Sequence, residues 1–517
     1  MKLKKIILPF LLTLSLASCQ LFDSGSDYYG SNSECLDSDS TIDSVEIDST
    51  EQSSIEKPDT ITVFAINDLH GCLKENTSSG ELGVARLDYA IKHDVDYDSK
   101  TSIIISSGDS WQGGYLAHME KTITDELLGQ MGVQAMCLGN HEFDWGIDVI
   151  KELKEQSPFP FLACNIKNPN GKHTNELSDN STIIEKAGLK IGVIGAIGSE
   201  QESSIATNSL GGYSFSEDLN YIDTEITNLQ SKNCDLIILS VHDSCNDSSN
   251  YVTSIGNRFD TTQIQGIFGA HTHSFEKETV GSNQIPFLQG GCNSYGYSKM
   301  TFSIEKKKVI DYSYVKAYSG YYNVEDSQLN QNIVELIASE DGKYNGDEEI
   351  FEAQGTFRRY YELNKFIPEI MLNQAIFYNW KSSNELIAIH NLAGIRSNIS
   401  SGMVTREMLY KVEPFDNKVK IIKNISGSKI ASLLGNIKGT YQSQYDAYLC
   451  ESNESFDSSK TYDVVTIDYV SEGNYGQRIF GNAVQYDIRS DDPMILSVMI
   501  DYFSRQENKT YRASDYN

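Results

Sequence analysis

The chain is 517 residues long, 39% apolar, and carries a net charge of −30. The length exceeds what one hydrophobic core can organise and points to two large domains with accessories. The acidic balance excludes recognition of nucleic acid or of an anionic membrane by a basic surface, and any anionic ligand would be repelled unless bound divalent cations offset the field locally.

The chain opens with Lys2, Lys4 and Lys5 followed by an apolar run over 6–16, too short to span a bilayer. Leu16-Ala17-Ser18-Cys19 then resembles a bacterial lipobox. That resemblance implies a signal peptide over 1–18, a lipid on Cys19, and attachment to the cell membrane through that lipid, facing outside the cytoplasm. Residues 19–58 are rich in Ser, Asp, Glu and Gly, cannot bury enough surface to offset their ordering entropy, and are expected to form a disordered acidic tether. Nine cysteines are present, eight once Cys19 is set aside. An even number in an exported chain permits disulfides, yet Cys137, Cys164 and Cys292 sit in apolar or glycine-rich runs and are expected as buried free thiols.

From residue 59 the texture changes. Short β-branched runs at 61–67, 102–107, 135–138, 159–163, 191–197, 236–241 and 266–269 predict buried strands, and helical patterns cover 83–92 and 121–131. Strand and helix alternate, which predicts an α/β layered domain over 59–324 with its chemistry at the loops after the strand carboxyl ends. Over 325–352 the chain becomes polar and helical, with the acidic break Asp347-Glu348-Glu349, and reads as a connector. Residues 353–517 mix an amphipathic helix at 365–378 with strands at 385–390, 418–423 and 463–469, an α+β pattern.

Five segments at the ends of apolar runs hold nearly all the unusual residues of the first domain: Asn67-Asp68-Leu69-His70-Gly71, Gly108-Asp109-Ser110-Trp111-Gln112-Gly113, Gly139-Asn140-His141-Glu142-Phe143-Asp144, Val241-His242-Asp243 and Gly269-Ala270-His271-Thr272-His273. Asp, His and Asn together suit borderline metal ions. In D-x-H and H-x-H an extended stretch puts residues two apart on one side, so both can face one ion. Asp109, just after a glycine in a turn, is the natural bridge between two cations, and two such cations clamp the attacking and leaving oxygens of an in-line displacement. Each motif alone carries little, but five of the nine histidines fall inside these segments, each of which closes a strand. Of the others, His93, His118 and His173 lie in polar surroundings and are expected to be solvated, while His390 ends an apolar strand and reads as a core or turn histidine.

This ordered set resembles the calcineurin-like metallophosphoesterases, and within them G-N-H-E-F-D and G-D-x-x-Q-G resemble the 5′-nucleotidase family, over roughly 60 to 500. The resemblance implies a four-layer αββα sandwich followed by a second, substrate-binding α+β domain. It implies Asp68, His70, Asp109 and His273 as ligands of one divalent metal, and Asp109, Asn140, His242 and His271 as ligands of the other, with Mn, Zn, Fe, Co and Mg all open. It further implies that His141 contacts the phosphoryl group and that Asp144 orients His141 and keeps it protonated, as a carboxylate beside an imidazole does.

In the second domain the resemblance is partial. Asn391-Leu392-Ala393-Gly394-Ile395-Arg396 resembles the family's N-x-G-G-I-R substrate loop, Arg359 lies where the family has another substrate-facing arginine, and Pro414-Phe415-Asp416-Asn417 resembles the P-F-x-N segment whose phenylalanine stacks on the base. Where the family shows G-G-D-G and an aromatic, this chain has Gly473-Asn474-Tyr475-Gly476-Gln477: Gln477 stands at the expected aromatic position, and either Tyr475 swings in as the second wall of a base clamp or the clamp is open. The implied function is removal of phosphate from nucleoside 5′-monophosphates. A UDP-sugar hydrolase, a 2′,3′-cyclic-nucleotide phosphodiesterase and a non-catalytic nucleotide-binding lipoprotein are the alternatives. The resemblance also implies rotation of the second domain about 325–352. Oligomeric state and preferred base stay open.

Overall fold

The structure, a computed structural model, describes residues 57–516 except 78, 248–249, 318–323, 381–383, 435–446, 451–456, 458 and 473–479. The signal peptide, Cys19, almost all of the expected tether, and Tyr475 therefore lie outside the described residues.

Strand alternation builds the layers of the first half. In β1 (Thr60–Ile66), Ile61, Val63 and Ala65 enter one core while Phe64 and Ile66 enter another. β2 (Ser102–Ser106) repeats the pattern, with Ile103 and Ile105 on one face and Ile104 on the other. This is the period of two that a strand imposes. The chain continues through β3 (Val133–Cys137), β4 (Phe161–Leu162), a small ribbon of β5 (Ile166–Lys167) with β8 (Ser214–Phe215), β6 (Ser181–Lys186), β7 (Leu189–Ile197), β9 (Leu236–His242) and β10 (Gly266–Phe268). It closes with β11 (Phe275–Val280), β12 (Ile285–Gly290), β13 (Gly296–Ser303) and β14 (Lys308–Lys316).

Two six-stranded sheets result, ordered β14-β13-β1-β2-β3-β4 and β11-β12-β10-β9-β7-β6. Ile61, Val63, Ile103 and Ile105 of the first meet Ile191, Val193, Leu236 and Ile238 of the second in a shared core. The outer face of the first sheet packs on Leu87 and Ile91 of helix Gly83–Lys92 and on Leu127 and Leu128 of helix Ile123–Met131. The outer face of the second packs on Ile222, Ile226 and Leu229 of helix Asn220–Ser231 and on Ile255 of helix Tyr251–Arg258. Helix, sheet, sheet and helix make the four layers, each burying a strand face that water would otherwise cover.

Helix Gln331–Asp341 still buries Ile333 in the first half, so the chain passes to the second half between Asp341 and Glu349. There β15 (Glu349–Gln354) lies between β17 (Gly402–Thr405) and β22 (Thr510–Arg512), and a five-stranded sheet runs β19-β16-β20-β18-β21. Its strands are β16 (Glu385–Asn391), β18 (Val419–Ser426), β19 (Ala447–Cys450), β20 (Thr461–Ile467) and β21 (Gln485–Asp487). Helix Leu363–Phe377 packs Phe366, Ile370 and Met371 into the core of this half. The run read as strand over 463–469 turns helical at Asp468, because Asp468 Oδ1 accepts from Lys418 N and Tyr469 N and so closes the strand locally. Cys137 and Cys164 are buried free thiols as expected, whereas Cys292 is only half-buried.

Candidate active site

Strands β1, β2 and β3 are parallel neighbours in one sheet, and β9 and β10 are parallel neighbours in the other. All five motifs follow the carboxyl ends of these strands, so the two stacked sheets deliver them to one edge. The ligand-capable atoms of Asp68, His70 and His273 lie within 4.8 Å of one another, as do those of Asp109, His242 and His271. A third grouping, His70–Asp109–His141, joins the two. Asn140 Oδ1 stands 3.2 Å from His242 Nε2 and 3.1 Å from His271 Nδ1. Each of the seven residues singled out as ligands is thus in one cluster.

The backbone there is forced. Asp68, His70, Asp109, His271 and His273 all have φ between 49° and 77°, in the left-handed region. Asp and His tolerate that region better than most residues, yet each instance costs about 1–3 kcal/mol and persists only where neighbours hold it. Here Asp68 N donates to Gly108 O at 2.9 Å, His70 N to Asp109 O at 2.9 Å, and Ala270 N to Asp243 O at 3.0 Å. Asp68 in turn accepts from His271 N at 3.0 Å. Gly139 is required by space: a Cβ there would lie 2.2 Å from Asp109 Oδ1.

The histidines are set to present lone pairs. His70 Nδ1 donates to Gln112 O at 3.1 Å and His242 Nδ1 to Ser107 O at 2.9 Å, which leaves Nε2 of each for the cluster. Burial, reinforced by His273 and His141, holds His70 well below its ordinary value and so neutral. Burial and Arg396 push His273 down to about 3, and burial and His242 push His271 down to about 4. His70 Nε2 and His273 Nε2 nevertheless face each other at 2.8 Å. The buried Asp109 Oδ2 has His242 Nε2 3.1 Å away as its ion-pair partner. Opposed imidazole lone pairs and buried carboxylates are the donor set of a divalent cation site, and a cation removes the repulsion between them. Burial opposes charge on His242, but Asp109 outweighs it and pushes His242 up to about 10, so a proton and a metal compete for the same nitrogen.

His141 donates its backbone N–H to Asp109 Oδ1 at 2.8 Å, and its Nδ1 lies 2.5 Å from Asp144 Oδ2. Burial works against its charge, and Asp144 and Asp109 outweigh burial and raise its pKa. Asp144 so engages one ring nitrogen and leaves Nε2 for the cavity.

Glu142 is a residue to which sequence reasoning gave no role. Fully buried, it accepts from Asp109 N at 2.9 Å, Ser110 N at 2.7 Å and Gly139 N at 2.6 Å, and thereby clasps two ligand loops together. An acid inside a run of metal-ligand residues was the available signal. Asn67 acts similarly on the other side, donating to Asp68 Oδ2 at 2.6 Å and to Gly291 O at 2.5 Å. Glu142→Gln places an amide N–H against backbone donors. The expected result is a 10–100-fold weaker metal affinity, of the size usual for groups behind the ligands, read by titrating metal into stripped protein.

The cluster opens into a cleft of about 800 Å³. Asn140, His141, Asp144, His271 and His273 line one side, and Arg359, Asn391, Arg396 and Phe415 of the second half line the other. Phe415 stands 6.0 Å from the His141 ring and 5.8 Å from the Arg396 guanidinium. Residues 202–209 and Tyr469, unremarked in the sequence, also form walls. Hydrogen bonds cross between the halves at the cleft: Gln112 Nε2 donates to Pro414 O at 3.0 Å, and Asn208 Nδ2 donates to Glu472. His118 is not solvated as expected. It stacks on Tyr410 at 4.8 Å, meets Trp145 edge-on and lies 3.5 Å from Asp416, because the second half covers it. His390 is buried, in keeping with a core histidine.

The family profile for calcineurin-like phosphoesterase matches residues 61–275, and that for the 5′-nucleotidase C-terminal domain matches residues 362–452. A 5′-nucleotidase of Vibrio cholerae is 23% identical over 445 residues, covering 75% of this chain and 77% of its own. An apyrase of Tabanus yao is 22% identical over 523 residues, covering 86% and 90%. Among solved structures, a 5′-nucleotidase precursor from Thermus thermophilus superposes with a TM-score of 0.70 at 18% identity, covering 88% of this chain and 99% of its own.

Proposed function

We propose that this chain, which belongs to the calcineurin-like phosphoesterases bearing a 5′-nucleotidase C-terminal domain and is a metal-dependent phosphoric-ester hydrolase, removes phosphate from nucleoside 5′-monophosphates outside the cytoplasm. The observation that carries the reading is the cleft in which Asp109, Asn140, His271 and His273 face Arg396 and Phe415, with Asp68, His70 and His242 clustered behind them. When bound, two divalent cations supply a nucleophile at neutral pH and charge for the attacking and leaving oxygens. Asp68, His70, Asp109 and His273 would hold one, and Asp109, Asn140, His242 and His271 the other.

The chain's own residues do the rest. His141, held by Asp144, offers a charged N–H to the phosphoryl oxygens as their charge grows, and Arg396 adds a second positive group from the opposite wall. Phe415 presents a ring to the base, and Arg359 and Asn391 border the sugar side. The overall charge of −30 would repel a nucleotide, so attraction is confined to this cleft.

Phosphate release from 5′-AMP, a nucleotide sugar and a 2′,3′-cyclic nucleotide, with each divalent ion added back to stripped protein, tests the reading. Turnover of 5′-AMP should lead. A leading cyclic nucleotide or nucleotide sugar would replace the substrate while leaving the metal site intact, and no turnover with any ion would refute the reading. Phe415→Ala should raise KM for 5′-AMP about 5–150-fold, the range of one base–aromatic stack, with kcat little changed.

Location rests on the first nineteen residues. Cys19→Ser should move the protein from the detergent phase to the aqueous phase on phase partition of cells. Equal partition of variant and parent would remove the lipid anchor from the account.

A further inference from the structure

Two buried titratable groups take no part in the chemistry above. The side chains of His390 and Glu413 are both 0% exposed, with His390 Nε2 3.3 Å from Glu413 Oε1. Among the described residues, neither carboxylate oxygen of Glu413 has a hydrogen-bond donor. Glu413 also closes the C-terminal end of helix Arg406–Val412, where the helix dipole disfavours negative charge. A carboxylate so placed is costly unless a partner offsets it, and His390 is the partner within reach.

Their positions in the chain give the pair a use. His390 immediately precedes Asn391 at the end of β16, and Glu413 immediately precedes Pro414-Phe415. The pair therefore joins the roots of the two loops that bring Asn391, Arg396 and Phe415 to the cleft. A second tie runs alongside, from Arg396 N to Val412 O at 2.9 Å. His390 Nδ1 donates to Asn391 O at 2.8 Å, which fixes the ring and leaves Nε2 for Glu413. Gly394 lets the first loop fold back onto this point: a Cβ there would lie 3.0 Å from Asn391 Oδ1 and 3.3 Å from His390 Cε1.

We infer that the buried His390–Glu413 pair is a positioning device that holds the Asn391–Arg396 loop in register with the Phe415 turn, so that both loops grip one nucleotide together. The inference rests on the reading that the second half grips the nucleoside. Neither residue touches substrate. Their effect passes through Asn391, Arg396 and Phe415, and it falls on ligands that reach those groups.

The test uses the metal-loaded full chain with 5′-AMP and with p-nitrophenyl phosphate, which has no nucleoside to grip. Glu413→Asp keeps the carboxylate and shortens its reach by one methylene. The ratio of kcat/KM on 5′-AMP to that on p-nitrophenyl phosphate should fall about tenfold, mostly through KM for 5′-AMP. His390→Gln with Glu413→Gln, whose amides can span the same gap, should restore the ratio. If Glu413→Asp does not fold, His390→Leu with Glu413→Leu removes both polar partners, leaves no buried charge behind, and carries the same expectation. An unchanged ratio, or no recovery in the Gln pair, overturns the inference. Failure of the functional reading looks different: the parent enzyme itself would show no preference for 5′-AMP, and the inference would fall with it.

Discussion

Asp109→Ala should abolish phosphate release from 5′-AMP, with kcat/KM down by at least about 10³-fold, the scale on which losing a central electrostatic group acts. Among the described residues, Asp109 is the only carboxylate that falls in two groupings of the cluster, beside His70 and His141 in one and His242 and His271 in the other. Burial would raise its pKa, yet His242 and His141 outweigh burial and hold it well below the usual carboxylate range. It therefore stays an anion without metal and is a ready bridge for two cations. Its Oδ1 also accepts from His141 N at 2.8 Å, so the substitution loosens the loop that carries Asn140 and His141 as well. Metal analysis of the purified variant should show fewer than two divalent ions per chain. A variant that keeps two ions and normal turnover would remove the bridging role.

His141→Ala should lower kcat about 10²–10³-fold, the usual loss for one donor aimed at developing charge, while metal content stays at that of the parent. The two outcomes separate the roles open to this side chain. His141 belongs to a grouping with His70 and Asp109, so its ring could in principle ligate. Its Nδ1, however, is taken by Asp144 at 2.5 Å, and Asp144 and Asp109 overcome burial to favour the charged ring, which cannot ligate through a protonated nitrogen. Loss of metal along with activity would make His141 a ligand instead. Asp144→Asn should lower kcat in the same direction by a smaller factor, since it weakens the charge on His141 without removing the ring.

Much of this architecture was legible in residue order. The runs at 61–67, 102–107, 191–197 and 236–241 became strands because β-branched residues on alternating faces have no other way to bury both sides. The ligand motifs could be placed because each ends such a run. What could not be read depends on contacts made across long stretches of chain. His118 looked solvated because its neighbours in sequence are polar, yet Tyr410 covers its ring and Asp416 lies at its edge. Glu142 carries no distinctive spacing, and its role exists only because the Asp109 loop, 33 residues earlier, turns its N–H groups toward it. Apart from Glu202 and Ile205, residues 202–209 are small or polar and look like any connecting loop. Only the packing of that loop opposite Phe415 and Tyr469 makes it a wall of the cleft. The left-handed backbone at Asp68, His70 and Asp109 was equally hidden, because side-chain identity permits such a conformation without demanding it.

Diffraction from crystals grown with manganese, recorded at its absorption edge, bears most directly on the cluster of seven side chains. Two anomalous peaks are expected, one among Asp68, His70 and His273 and one among Asn140, His242 and His271, with the Asp109 carboxylate lying between them. A single peak, or a pair in which Asp109 touches only one ion, would contradict the shared-carboxylate site on which the catalytic reading stands.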